Sequence, residues 1–321
     1  MSERHGRVIP TFALATAGCL WGTGFFFAKV AVREMPVSTV VLFSSLFACA
    51  GLLPFLFFDR PRFDRAEWVW VLAAAALGVP VVFLLQVKGI SLTTVSHADL
   101  IVGTVPMLLA IAAVLSAGEQ LHSESHGIIS RMRSSAVVLF TEEQLHLGGW
   151  FAVLASTVGA GMIVLSSGRD TGAAGPTLRG DLLVVLSLFA SIGWILISKR
   201  LVLRHSALMA TALVYWIGTM MLAVVVTTAS GLPSVHYSSR AWVAVAEQGL
   251  LATAAAAVLW NWGLKRVPES QAGIFINLEA LVGAILGVTV LHEILGKMAL
   301  AGGALVLGAA VYLSYRPLRR S

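Results

Sequence analysis

Ionisable side chains interrupt several long apolar runs of this sequence. Glu279 lies near the middle of one run, Glu247 lies within another, and Lys29 comes just before the end of a third. His97 and Asp99 lie together near the start of a fourth run. In a bilayer such groups are costly and usually face a partner or a water-filled cavity. A carboxylate can carry a proton or bind an ammonium group. A lysine can bind a carboxylate, and a histidine can transfer protons. These five residues are the first candidates for binding a small molecule or moving a proton.

Each candidate also has a purely structural interpretation. Glu279 can be a buried carboxylate that is hydrogen-bonded to Asn277 or to a neighbouring helix. Lys29 can extend its ammonium group to the membrane interface. Glu247 can form a hydrogen bond between two helices, and the histidine and aspartate of the fourth run can be ordinary interfacial residues. The sequence leaves both interpretations open, and Asn277 itself remains a candidate contact residue.

Tryptophans and prolines within the apolar runs form a second group of candidates. Trp21, Trp194 and Trp260 could line a cavity for an aromatic or amphipathic molecule. Tryptophans also collect at membrane interfaces, which is the alternative for these three. Pro80 and Pro106 interrupt apolar runs, and because proline removes a helix hydrogen bond both are candidate hinges.

The elements that must position these residues are membrane-spanning helices. The sequence is 58% hydrophobic and 12% charged, with a mean hydropathy of +0.87. A bilayer core of about 30 Å requires about 20 mostly apolar residues in a helix. Ten stretches meet this requirement: 10–32, 37–57, 67–87, 95–117, 148–167, 182–200, 207–230, 241–262, 271–291 and 298–315. The predicted fold is therefore an all-α integral membrane protein with ten transmembrane helices.

The positive charges separate by side of the membrane when these spans are numbered from a cytoplasmic N-terminus. Fifteen fall on the inner side: Arg4, Arg7, Arg60, Arg62, Arg65, Arg131, Arg133, Lys199, Arg200, Arg204, Lys265, Arg266, Arg316, Arg319 and Arg320. Six fall on the outer side: Arg33, Lys88, Arg169, Arg179, Arg240 and Lys297. This asymmetry predicts that both termini are cytoplasmic. The expected location is a bacterial-type inner (plasma) membrane, which the chain crosses several times. The net charge of +6 is thus a topology signal, and no nucleic-acid partner is expected.

Two parts of the chain repeat each other. Laid over each other without a gap, Gly89–Leu121 and Gly263–Leu295 agree at Gly89/Gly263, Ser96/Ser270, Ala98/Ala272, Ala110/Ala284, Ile111/Ile285, Val114/Val288, Glu119/Glu293 and Leu121/Leu295. Each half holds five spans, an odd number, so the second copy must be inverted relative to the first. Inverted repeats are typical of transporters in which two halves move around a central site.

The repeat gives the domain boundaries. Residues 1–167 form the first repeat with spans one to five, and residues 168–321 form the second with spans six to ten. The first repeat carries an inserted loop near 118–147, which is predicted to be cytoplasmic. Glu119 and Glu293 lie at the ends of matching spans and are expected to cap or brace loops.

Three short motifs carry a family resemblance. In chain order they are Trp21-Gly22 with Lys29, Pro106 with Glu119, and Leu278-Glu279-Ala280 with Glu293. Together with the five-plus-five pattern they resemble the EamA-type branch of the drug/metabolite transporter superfamily, over nearly the whole chain. Ala280 stands where the family usually has proline, and His292 replaces the usual glycine before Glu293.

The resemblance implies a secondary active transporter that works by alternating access. It favours small metabolites as substrates, with amino acids and related compounds first, and export over uptake. It implies lipid and a small-molecule substrate as partners, no cofactor and no metal, and it is compatible with a monomer or a homodimer.

Three other functions remain as alternatives: efflux of drugs and other lipophilic compounds, a channel, and an integral membrane enzyme. The sequence has no GxxxxGK[ST] loop for ATP, no HExxH zinc motif and no GxSxG nucleophile elbow. The sequence also lacks a repeated filter loop and a ring of like charges, which are features of channels. The prediction is therefore a gradient-driven carrier and not an enzyme.

Overall fold

The computed structural model describes residues 2–58, 63–109, 111, 147–166, 175–202, 204–264, 266 and 269–315. Helices dominate these residues, and no strand occurs among them. An apolar chain in lipid must satisfy its backbone hydrogen bonds internally, which favours helices. The predicted insertion lies outside the described residues apart from Leu147, and so does Glu119.

The helices follow the predicted order. The long helices are α1 Ser2–Ala31, α2 Val37–Leu52, α3 Arg65–Leu92, α4 Val95–Leu109, α5 Leu147–Ser166, α6 Leu178–Val202, α7 Ala207–Ser230, α8 Ser239–Leu264, α9 Glu269–Thr289 and α10 Lys297–Tyr315. A single helical turn, Phe55–Phe58, lies between α2 and α3. Among the described residues, α1, α3, α5, α6, α7 and α8 contain apolar stretches long enough to cross a membrane. The apolar stretches of α2, α4, α9 and α10 are shorter, at 10–17 residues. The protein is therefore an all-helical, multi-pass membrane protein.

Two helices contain a π-helical segment in the middle. In α3 the segment is Leu77–Phe83, which includes Pro80, and in α8 it is Leu250–Ala255. Proline lacks an N–H group and so disturbs the hydrogen-bond pattern of α3. In the alignment that pairs Gly89 with Gly263, Leu77 pairs with Leu251, so the two segments occupy matching positions in the two halves.

The second candidate hinge lies beside a break in α4. The helix is interrupted by a turn at Gly103 and Thr104 and resumes over 105–109. Pro106 cannot donate to the carbonyl four residues earlier, which accounts for the turn at this place. In contrast, α9 runs without interruption past Ala280, at the position where the family pattern has proline.

Glycines bring the helices of the two halves into close contact. An added Cβ at Gly18 or Gly22 of α1 would overlap the backbone of α9 at Phe275 or Glu279. Small residues in membrane helices allow such close backbone approach. Gly159 of α5 and Gly302 of α10 face each other in the same way. These contacts set the positions of α1 and α9, which carry several of the candidate residues.

The end of the bundle where α3 begins and α6 ends holds exposed charges. Glu67 accepts a hydrogen bond from Arg204 at 3.1 Å and lies 3.4 Å from His205. Arg200 stacks over the ring of Trp70, with its guanidinium carbon 4.2 Å from the ring centre. The Arg204 side chain is 63% exposed, whereas those of Glu67 and His205 are 12% exposed. An ion pair with an exposed partner contributes only about 0–1 kcal/mol, so the Arg204 contact orients the helix ends more than it stabilises the fold.

Candidate functional site

A polar cluster surrounds the sharp turn between α3 and α4. We define the polar cluster as Lys29, Thr93, His97, Asp181 and Glu293. Its members come from the end of α1, the α3–α4 turn, the first turns of α4 and α6, and the connection between α9 and α10. Helix ends that lie far apart in the chain therefore meet at one end of the bundle.

Lys29 is bound to backbone oxygens within this cluster. Its ammonium group donates to the carbonyl of Ile90 at 2.7 Å and to the carbonyl of Thr93. The last carbonyls of a helix have no partner within the helix, and a positive charge there also interacts favourably with the helix dipole. The half-buried Lys29 therefore fastens the end of α3 to α1.

His97 and Asp181 form a buried pair. The Nδ1 atom of His97 lies 3.0 Å from Oδ2 of Asp181, and the two side chains are 2% and 0% exposed. The other oxygen of Asp181 accepts a hydrogen bond from the hydroxyl of Thr93. Thr177, just before α6, donates to the carbonyl of Leu92 at 2.6 Å. Together these contacts tie the start of α6 to the α3–α4 turn.

Glu293 caps the start of α4 from a distant part of the chain. Its carboxylate accepts from the backbone N–H of Val95 and of Ser96, both at 2.8 Å. It also accepts from the Ser96 hydroxyl at 2.6 Å. The first N–H groups of a helix have no partner within the helix, so Glu293 satisfies two of them. This is the bracing contact that the sequence predicts for a glutamate at a span end.

Asp99 lies deeper in the bundle and is fully buried. Neither of its carboxylate oxygens has a hydrogen-bond partner among the described residues. The carboxylate packs against Gly283 of α9, where an added Cβ would overlap it. The charged groups that it faces are the carboxylates of Glu279 and Glu293.

Glu279 lies on α9, one helical turn before Gly283, the residue against which Asp99 packs. It is half-buried, and the described part of the chain offers it no hydrogen bond. Asn277 is buried two residues away, but residues two apart on a helix do not face each other. Asp99 and Glu279, which we call the carboxylate pair, therefore lie at the contact between α4 and α9, one from each half of the chain.

Glu247 belongs to a separate polar contact between α1 and α8. One of its oxygens accepts from the Thr23 hydroxyl at 2.6 Å, and the other has no partner among the described residues. Also between α1 and α8, the rings of Trp21 and Trp260 lie 5.0 Å apart at an angle of 51°. These aromatic side chains are half-buried, as is Glu247. The predicted aromatic wall thus has two members in contact.

Trp194 lies elsewhere, against the π-helical segment of α3. Its indole ring occupies the space beside Gly78, and its ring centre is 6.3 Å from that of Tyr215. Tyr215 also lies 6.0 Å from Phe83 at the end of the π segment. The structure therefore separates Trp194 from the Trp21 and Trp260 pair.

A groove of about 690 Å³ opens between the α1–α2 connection and α3, with Lys88 and Met35 on its walls. It contains none of the candidate residues. In the described part of the chain, no group of three or more histidine, cysteine, aspartate or glutamate side chains could hold a metal ion. The candidate site is therefore the carboxylate pair with the polar cluster beside it.

Sequence reasoning found His97, Asp99, Lys29 and Glu279 but missed Asp181 and Thr93. Asp181 comes one residue before the predicted start of the sixth span, where an acidic residue is normally solvated. The signal that could have revealed it is the Thr177 N-cap position, which places Asp181 inside the first turn of a helix.

A model of the EamA-like transporter family matches residues 9–126 and again residues 178–315. The chain belongs to the EamA-like transporter family. This membership points to a membrane transporter and not to an enzyme.

Relatives of this EamA-like protein agree with that assignment. An uncharacterized transporter of Archaeoglobus fulgidus is 20% identical over 303 residues, which cover 94% of this chain and 95% of that protein. The uncharacterized transporter YetK of Bacillus subtilis is 23% identical over 300 residues, or 92% of this chain and 84% of YetK. A solved crystal structure with 17% identity superposes with a TM-score of 0.60 and covers 98% of this chain and 99% of the other, which shows a shared fold.

Proposed function

We propose that this EamA-like protein is a secondary active transporter that moves small metabolites across the inner membrane by alternating access. The observation that carries the proposal is the carboxylate pair, two acidic side chains at the contact between α4 and α9 that accept no hydrogen bond from any described residue. Buried carboxylates that do not stabilise the fold are costly, and in membrane proteins they mark paths for substrates or ions.

The proposed architecture is ten transmembrane helices in two inverted repeats of five. The double match to one family model supports it, and so do the π-helical segments at matching positions of α3 and α8. Interrupted helices in corresponding positions of two repeats are a feature of transporters that rock around a central site. With both termini cytoplasmic, the polar cluster lies at the outer end of the bundle, and Arg200 and Arg204 lie at the inner end.

The proposed substrates are amino acids and related amines, and the proposed direction is export. Glu279 is half-buried and has no partner among the described residues, so its carboxylate is available to a substrate ammonium group. Lys29 is occupied by two backbone carbonyls and Asp181 by His97 and Thr93, so these two charges are less available to a substrate. The direction follows from the family resemblance.

Counterflow in proteoliposomes tests this function. Vesicles containing the protein are preloaded with a pool of unlabelled amino acids, and entry of trace labelled compounds is followed. We expect saturable entry that other members of the pool inhibit. Protein that is folded and inserted but gives no counterflow for any amino acid would contradict the proposed substrate class.

The variant Glu279→Gln tests the role of Glu279. Removing a buried charge partner typically costs about 2–5 kcal/mol of binding, so apparent affinity should fall by about 30-fold or more. Glu34→Gln is the matched control, because Glu34 is exposed and, among the described residues, accepts hydrogen bonds only from Ser238 at a helix start. Normal transport by Glu279→Gln, with normal pH dependence, would refute this role.

A second candidate function is efflux of lipophilic cations. It is favoured by the contact between Trp21 and Trp260, with the half-buried Glu247 carboxylate also between α1 and α8. Aromatic faces attract desolvated cations, and a nearby carboxylate adds to the attraction. If lipophilic cations inhibit counterflow, and Trp260→Ala removes only that inhibition, these residues form a separate binding surface.

A further inference from the structure

The Asp99 carboxyl group has the surroundings of a neutral acid. It is 0% exposed, and neither oxygen accepts a hydrogen bond from any described residue. An ionised carboxylate without a partner in a low-dielectric interior costs many kcal/mol, and such groups become neutral instead. Asp181 gives the contrast within the same chain, because it is equally buried but has partners in His97 and Thr93.

The packing around Asp99 leaves little space for a metal cation. The carboxylate fills the position that a side chain on Gly283 would take, and an added Cβ there would overlap its carbon and both oxygens. Sodium or a larger cation would need several further oxygen ligands around it. A proton requires no such space, and it removes the charge where the carboxylate lies.

Among the described residues, no free positive charge lies against Asp99 from the helices that pack against α4. The titratable or charged groups of these elements and of the α9–α10 connection are Cys19 and Lys29 at α1, Arg65, Glu67 and Lys88 at α3, His97 on α4 itself, Arg179, Asp181 and Arg200 at α6, Glu279 at α9, His292 and Glu293 in the connection, and Lys297 and Tyr312 at α10. Arg179 is exposed, and Arg65 and Arg200 lie at the opposite end of the bundle. Lys29 is bound to carbonyls and His97 to Asp181. Lys88 and Lys297 are exposed, and the described part of α5 has no titratable side chain. The two charged groups that interact electrostatically with Asp99, Glu279 and Glu293, are both negative.

We propose that Asp99 is the proton-binding site of the transporter, separate from the substrate carboxylate Glu279. This inference rests on the proposed function. With α4 and α9 in contact, the Asp99 O–H bond stays intact and the site is neutral. When the helices separate and water reaches the carboxyl group, the proton leaves to water.

Because the two carboxylates lie close together, proton binding at Asp99 and amine binding at Glu279 oppose each other. A proton on Asp99 removes a negative charge that faces Glu279, and this weakens the attraction for a substrate ammonium group. Loss of the proton restores that attraction. Proton entry is therefore coupled to amine exit, which is the exchange that an exporter driven by the proton gradient requires.

Infrared spectroscopy of the full-length protein in lipid tests the proton site without any substrate. A protonated carboxyl group without a hydrogen bond has a C=O stretch at higher frequency than a hydrogen-bonded acid or a carboxylate. We expect this band at neutral pH in the wild-type protein and its loss in Asp99→Asn. Asp64→Asn is the matched control, because Asp64 is exposed at the start of α3 and asparagine is also a good N-cap. An unchanged band in Asp99→Asn would overturn the proposal.

Isotope labelling gives the same test without a substitution, in case the variant does not fold. Labelling the aspartate side-chain carboxyl carbons with ¹³C should shift the band to lower frequency, and labelling the glutamate carboxyl carbons should leave it in place. A band that moves only with labelled glutamate would assign the proton to a glutamate and overturn the proposal.

Transport assays then distinguish a loss of proton coupling from a loss of transport itself. In proteoliposomes with counterflow, an imposed pH gradient should drive accumulation of labelled amino acids in the wild-type protein, and the gradient should have no effect on Asp99→Asn. Counterflow that responds to a sodium gradient and not to pH would overturn proton coupling while leaving the carrier intact. Absence of counterflow in the wild type would refute the proposed substrates, and the infrared result would still decide the proton site.

Discussion

Replacing Glu293 by alanine should destabilise the protein strongly, because it leaves two buried N–H groups at the start of α4 without acceptors. The N–H groups of Val95 and Ser96 both donate to Glu293, and both residues are fully buried. A buried donor that loses its partner costs about 1–3 kcal/mol. Two such donors give about 2–6 kcal/mol, and the lost interaction of the carboxylate with the helix dipole adds about 0.3–1 kcal/mol.

The assay is reversible unfolding in mixed micelles, in which the fraction of denaturing detergent at the midpoint reports the free energy of unfolding. Glu293→Gln should lose less, about 1–3 kcal/mol, because its amide oxygen can still accept one hydrogen bond. Glu34→Ala is the control, since Glu34 accepts from the N–H and hydroxyl of Ser238 at an exposed helix start. Surface substitutions of this kind usually change stability by about 0.5 kcal/mol or less. Equal effects of Glu293→Ala and Glu34→Ala would refute the claim that burial makes the Glu293 cap important.

Two further predictions concern buried contacts of α4. A double-mutant cycle with His97→Gln and Asp181→Asn should give a coupling free energy of about 0.5–3 kcal/mol in the same unfolding assay, and additive effects would show that the pair does not act as a unit. Gly283→Ala should cost about 1–3 kcal/mol because its Cβ overlaps Asp99, whereas Gly161→Ala should be neutral or stabilising, since Gly161 has open space. Equal stability of the two alanine variants would contradict the packing of Asp99 on α9.

Helix positions followed closely from composition, because lipid leaves an apolar chain few alternatives to a helix. The sixth span was predicted at 182–200, and α6 is Leu178–Val202. The second span was predicted to reach residue 57, whereas α2 ends at Leu52. Leu53 keeps a helical backbone, but Pro54 has no N–H group to donate to the carbonyl four residues earlier, and a separate short helix, Phe55–Phe58, follows. The predicted bounds rest on hydropathy, which does not detect the end of α2 at Leu52.

The partners of the candidate residues could not be predicted in the same way. His97 and Asp181 are 84 residues apart in the chain, and Val95 and Glu293 are 198 apart. Such contacts depend on how the helices pack, and neither periodicity nor hydropathy specifies that. Polarity within an apolar run marks Asp99 and His97 as unusual. Only the three-dimensional arrangement shows that His97 is paired with Asp181 and that Asp99 has no hydrogen-bond partner among the described residues.

The presence or absence of a hydrogen-bond partner distinguishes the polar groups that stabilise the fold from those whose burial needs another explanation. Lys29, His97, Asp181 and Glu293 are all engaged at one end of the bundle, so their burial is offset by hydrogen bonds. Asp99 has no such compensation, although a serine, alanine or asparagine would occupy its place at lower cost. A buried acid that folding alone does not require fits a group that must gain and lose a proton. The contrast between Asp181 and Asp99, two buried aspartates near the same turn, is therefore the strongest argument that Asp99 serves transport.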